Sequence, residues 1–171
     1  MSSERFSEWT AAPGPKKGQH NKTRALISSR AQIFYKDQFL PPLTLYNYIM
    51  RVAEFGGFIR EHILYALVLA QRILGKIPTE EKGCICIFRV LGGCFIATQK
   101  MLLDKKHSLN LEHFCEVILV PKDEFFLLER SLVILLDWRL HVALTELKVM
   151  RESIREGKTR LPSWVLKHLA D

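Results

Sequence analysis

R-V-L-G-G-C-F-I-A-T-Q-K-M-L-L-D (89–104) and N-L-E-H-F-C-E-V-I-L-V-P-K-D-E-F-F-L-L-E-R-S-L-V-I-L-L-D-W-R-L-H-V (110–142) carry the decisive reading of this chain. Their apolar residues recur at helical spacing, which predicts a long apolar helix, a short helix and a second apolar helix. Each long helix carries a charge where apolar residues dominate, Lys100 on the first and Glu129 on the second. Lys and Glu are rarely fully buried unless paired, so these two are the first candidates for function.

On either side of this stretch the pattern stays helical. Thr44 is a suitable N-cap for a helix to about Phe55, with Leu45, Tyr48, Ile49 and Val52 on its apolar face and Gly56-Gly57 ending it. The next helix, Arg60 to about Leu74, is apolar on most sides and is therefore expected at the centre of the fold. A third is expected from Thr79 to about Leu103, with Gly92 and Gly93 as a packing notch. Ser108 or Asn110 would cap a fourth, ending near Ile118. Pro121 suits the first turn of a fifth that extends to about Trp138, with Asp123 and Glu124 favourable at its positive end. Thr145 to Glu156 and a last segment around Trp164 also read as helical. Asn-Gly and Asp-Gly hairpin turns do not occur. The expected fold class is all-α, five core helices with N- and C-terminal flanks.

The 171 residues suffice for one domain, and 48% hydrophobic content supports a sizeable core. No apolar run approaches the ~18 residues of a membrane span. The N-terminus lacks an apolar signal core, and an intracellular location is expected. Of the net charge of +7, much lies in the first thirty residues, where Arg5, Lys16, Lys17, Lys22, Arg24 and Arg30 face only Glu4 and Glu8. Residues 1–30 therefore read as a basic, mobile tail, 31–142 as the domain and 143–171 as a helical extension.

Composition and motifs exclude several chemistries. G-x-S-x-G, H-E-x-x-H, the P-loop and G-x-G-x-x-G are all missing from the sequence. Cys84 and Cys86 lie two apart, not at zinc-knuckle spacing, so the four cysteines read as reduced, largely buried thiols. The histidines are scattered, and no enzyme activity, metal or cofactor is expected. Arg89 and Lys100 are eleven residues apart, which puts them on one helical face about 16 Å apart. With Glu129 they predict a polar anchor set on an exposed face, with Leu103 and Phe126 as apolar neighbours.

From about Thr44 to Val142 the chain resembles a single cyclin box, most like the P/U-type (phosphate-regulon-like) cyclins and cyclin Y. The resemblance lies in Tyr48-Ile49-Met50-Arg51, Ala70-Gln71-Arg72-Ile73, Arg89, Thr98-Gln99-Lys100-Met101-Leu102-Leu103-Asp104, Asn110 and the run Leu128-Glu129 to Trp138-Arg139-Leu140. It implies a regulatory subunit of a cyclin-dependent protein kinase, with Lys100 and Glu129 gripping the kinase and Leu103 and Phe126 beside them. It also implies structural roles for Arg51, Arg89, Asp104 and Trp138. The family's Asp partner for the first-helix Arg is replaced by Gln71, and the M-R-A-I-L patch is missing. A nucleic-acid-binding protein of the transcription factor IIB kind is the second reading, drawn from the pI of 9.4. It is ranked lower because that family has two repeats and usually a zinc ribbon. A cyclin-like scaffold without kinase activation is the third.

Overall fold

The computed structural model describes residues 32–35, 42–79, 85–102 and 110–156. These form a 3₁₀ turn, Gln32–Phe34, and six α-helices: α1 Leu45–Gly56, α2 Arg60–Lys76, α3 Ile87–Leu102, α4 Leu111–Ile118, α5 Lys122–Leu135 and α6 Leu144–Arg155. No strand occurs among the described residues, so the all-α expectation holds.

Local chemistry sets three of the helix ends. The Thr44 hydroxyl accepts the Asn47 N–H at 3.2 Å, and Asn110 Oδ1 accepts the Glu112 N–H at 3.0 Å, each satisfying a free first-turn donor. Gly57 ends α1 at φ 67, a left-handed conformation that glycine adopts without a Cβ penalty. Where α2 was expected to be central it is: Ile63 through Ala70 are all buried. Full burial of a Leu, Ile or Val is worth roughly 1.5–3 kcal/mol, which makes α2 the axis of the core.

Two ends differ from expectation. The described part of α3 starts at Ile87, well after Thr79. Ahead of it the chain is extended: Ile85 bridges to Tyr35, and the Cys86 N–H donates to the Phe34 carbonyl at 2.7 Å. That pairing draws the lead-in segment onto the core and takes Ile85 and Cys86 out of the helix. At the other end of the core, α5 stops at Leu135, short of Trp138. The Asp137 N–H reaches back to Ile134 and the Trp138 N–H to Val133, a paired closure that stops a helix.

α3 packs between α2 and α5, α4 packs on α1, and α6 lies against α2 through Met150 and Ile154. The Gly92-Gly93 notch makes the approach to α3 close. A Cβ on Gly92 would sit 3.2 Å from Val120 Cγ2 and 3.3 Å from the Tyr48 hydroxyl, and one on Gly93 would sit 3.2 Å from Leu132 Cδ1. Tyr48 itself is fully buried and donates to the Ile118 carbonyl at 2.9 Å. Cys86, Cys94 and Cys115 are buried free thiols, and burial pushes the Cys94 thiol far up. Cys84 and the Trp164 segment lie outside the described residues. No helix among the described residues is long and apolar enough to cross a membrane.

Candidate docking site

Packing of α5 along α3 brings Lys100 and Glu129 together. Lys100, near the C-terminal end of α3, donates from Nζ to both carboxylate oxygens of Glu129 on α5 at 2.6 Å. The Lys100 side chain is 50% exposed and that of Glu129 22%. The ammonium also stands 5.9 Å from the Phe125 ring centre and 6.0 Å from that of Phe126, within cation–π range. Phe125 is buried and Phe126 is 59% exposed, so the cation sits at the edge where core turns into surface.

Apolar surface surrounds this pair. Met101 and Leu102 are exposed at the end of α3, and Leu127 beside Phe126 on α5. Farther along α5, Arg130 is exposed and Val133 and Ile134 are half-buried. Residues 126, 127, 130, 133 and 134 follow the three-and-four spacing that lines one face of a helix. Past the helix end, Trp138 is 79% exposed.

Arg89 behaves differently. Arg89 and Lys100 do share a face, but it is the face turned to α5, and only the Lys100 end of it reaches solvent. Arg89 is buried, donates to the Ile33 carbonyl at 2.6 Å and pairs with Glu124. It staples the 3₁₀ turn and α5 to α3, so it cannot belong to an exposed anchor set. Glu124, read from sequence as compensating the helix dipole, is its partner.

Arg51 also finds a partner without the missing carboxylate. Its Nε donates to the Val117 carbonyl and its Nη2 to that of Glu116, both at 3.2 Å, and its guanidinium lies over Phe55 at 5.8 Å. It thus satisfies free carbonyls at the end of α4. Gln71 is exposed. Trp138, expected to be structural, has its indole outside the core, because the two left-handed residues Asp137 (φ 51) and Trp138 (φ 62) turn it out. Leu103 and Asp104 lie outside the described residues.

Sequence reasoning quoted Arg72 within Ala70-Gln71-Arg72-Ile73 and gave it no role. This residue donates to the carbonyls of Arg139 (2.9 Å) and His141 (3.0 Å) and to Glu146 (2.6 Å), fastening the α5–α6 connection to α2. An Arg following the apolar run Ile63–Ala70 was the available signal. Glu146 in turn accepts the Ala143 N–H at 2.9 Å, and its carboxyl is held below the usual range, first by Arg72 and then by that N–H.

The histidines offer no shared chemistry among the described residues. His62 Nδ1 is buried without a hydrogen-bond partner, and burial lowers its imidazole below the usual value. His113 Nε2 lies 3.3 Å from the Phe55 carbonyl. No group of three or more His, Cys, Asp or Glu side chains able to hold a metal occurs among the described residues.

The helical module thus carries at its surface an ion pair whose lysine is half exposed, next to exposed apolar side chains of α3 and α5. The sequence matches the family model for Cyclin over residues 4–140, and the chain belongs to that family. It is therefore a cyclin-type regulatory protein. No curated protein matches the sequence.

Proposed function

We propose that this protein is the activating subunit of a cyclin-dependent protein kinase, of the single-box P/U-type and cyclin Y kind, and that it acts inside the cell. The observation that carries this reading is the Lys100–Glu129 pair, which joins α3 to α5 while the lysine stays half open to solvent. A Lys that already meets both oxygens of its carboxylate is oriented before the partner arrives, so little side-chain freedom is lost on docking. Its exposed ammonium can donate to a backbone carbonyl of the kinase. Phe126, Leu127, Met101 and Leu102 can bury apolar surface around that contact, the arrangement of a hot spot with its surrounding seal. Val133 and Ile134 extend the face along α5, and Trp138 is exposed past the helix end. Docked on the N-lobe, this face would press the kinase αC helix inward and complete its Lys–Glu pair, the step that activation of such kinases requires.

Nucleic-acid binding is disfavoured by the charge pattern. Arg72, Lys76, Arg89, Lys100, Lys122 and Arg151 are each engaged with a carboxylate, which reduces the free positive field of the helices.

Co-expression with the cyclin-dependent kinase catalytic subunits of the same organism tests the proposal. A stoichiometric complex with raised kinase activity is expected with one of them. The double variant Lys100→Ala, Glu129→Ala should lose the complex while keeping its helical circular dichroism. A double variant that binds and activates like the parent removes the site assignment, and steeply salt-dependent DNA binding by the protein alone would favour the nucleic-acid reading.

A further inference from the structure

The turn that ends α5 is unusual in its backbone. With Leu136 as the last cap residue, the Asp137 N–H bonds Ile134 and the Trp138 N–H bonds Val133, the pair of bonds that commonly closes a helix. Glycine normally takes the left-handed residue of that closure, and the residue after it folds an apolar side chain back onto the last turn. Here the left-handed residue is Asp137, at φ 51, and Trp138 follows it into the same region at φ 62. A bulky residue rarely adopts that conformation, and it persists only where the surroundings over-determine it. The second left-handed residue holds the indole 79% exposed instead of folded back.

What over-determines the turn comes from behind, from α2. Lys76, the last residue of α2, pairs with Asp137. The Tyr65 hydroxyl donates to the Leu140 carbonyl at 2.8 Å, and Arg72 holds the carbonyls of Arg139 and His141. Three residues spaced along one helix thus grip the chain at four points between 137 and 141.

We propose that α2, through Lys76 above all, is a rear clamp that sets the outward presentation of Trp138 on the docking face. Lys76 is a positioning residue: it acts on the partner through the Asp137–Trp138 turn and not by contact. The inference rests on the docking reading given above, since it is there that Trp138 has something to meet.

The test has two arms. In the first, Trp9→Phe and Trp164→Phe leave Trp138 as the sole tryptophan of the full chain, and its fluorescence anisotropy decay is recorded on the free protein. The indole should be readily quenched by acrylamide yet move with the whole molecule. Lys76→Ala should add fast local motion without changing helical content. Adding Asp137→Gly to Lys76→Ala should restore the slow decay, because glycine favours the left-handed turn without a clamp. In the second arm, affinity for the co-expressed kinase catalytic subunit is measured. Lys76→Ala should weaken it roughly three- to fivefold, the scale of a part-exposed ion pair. An unchanged anisotropy decay in Lys76→Ala, or an affinity equal to the parent's, overturns the clamp. Lys100→Ala, Glu129→Ala in the same binding assay judges the docking reading separately: undiminished binding there sinks that reading, while the free-protein arm still decides on the clamp.

Discussion

Two ion pairs tie α3 to α5, about three turns apart along α3 and about one and a half along α5. Arg89–Glu124 lies at the buried end, with side chains 7% and 20% exposed, and Lys100–Glu129 at the open end, with 50% and 22%. Their chemistry is alike and their consequences are opposite. A cation buried with a carboxylate and a main-chain carbonyl has nothing left to offer a partner, and its removal strands both groups. A cation at the rim is worth little to the fold and is free to make one more contact. Burial, not charge, divides staple from grip.

The largest effect is expected at the buried end. Arg89→Ala leaves Glu124 and the Ile33 carbonyl without their donor, and breaking one side of such a pair costs about 3–5 kcal/mol. Urea unfolding should show that loss, a large share of the roughly 5–15 kcal/mol that holds a domain folded. A loss below 1 kcal/mol would mean that water replaces Arg89 and that the two ends of α3 do not differ.

Next in size is the notch on the buried half of α3. Gly92→Val would drive methyl groups into Val120 and into the hydroxyl of Tyr48, whose bond to Ile118 fixes it in place. Overpacking of this kind costs about 1–3 kcal/mol, read as a fall in thermal midpoint. Equal stability of Gly92→Val and the parent would show that the close approach is not required.

These two sites also mark what could be read before the fold was known. The cap at Thr44 and the stop at Gly57 were legible because each is decided within four residues, and the cap of α4 was narrowed to Ser108 or Asn110, of which Asn110 serves. Lys100 and Glu129 were legible as charges where apolar residues dominate, and the cyclin resemblance joined them. Arg89 looked like their companion because helical periodicity fixes a face and says nothing about what covers it. Its cover is Glu124, 35 residues away, which also fits an ordinary first-turn acid. The start of α3 was missed for a similar reason: Ile85 is drawn into a bridge with Tyr35, a contact with no local signal. The end of α5 was missed because its left-handed closure uses Asp137 and Trp138 where a glycine would have announced it.

A smaller effect on stability, and a large one on binding, is expected at the open end. Lys100→Ala should lower the unfolding free energy by less than ~1 kcal/mol, as for exposed pairs generally. The same change should cost kinase affinity at least tenfold, as a charged hydrogen-bond donor lost at the centre of an interface does. Calorimetry of unfolding and titration with the catalytic subunit give both numbers. A stability loss matching that of Arg89→Ala would make Lys100 a second staple and end the contrast.

The smallest effect belongs to a third pair, Arg72–Glu146, intermediate in exposure at 25% and 42%. Its hydrogen bonds hold the Glu146 carboxyl below the usual range in the folded chain. Between the lowered folded value and the ordinary unfolded one, the unfolded chain binds more protons, so stability rises with pH there. The contribution is complete above the unfolded value and disappears as pH falls through the folded one. Glu146→Gln cannot titrate, so the acid limb of its stability curve should be flatter than the parent's, with the difference confined to acidic pH. Because the pair is part-exposed, added salt should shrink that difference, whereas the Arg89–Glu124 contribution should resist salt. A Glu146→Gln curve parallel to the parent's throughout the acid range would show that Arg72 holds the α5–α6 connection through the carbonyls of Arg139 and His141 alone.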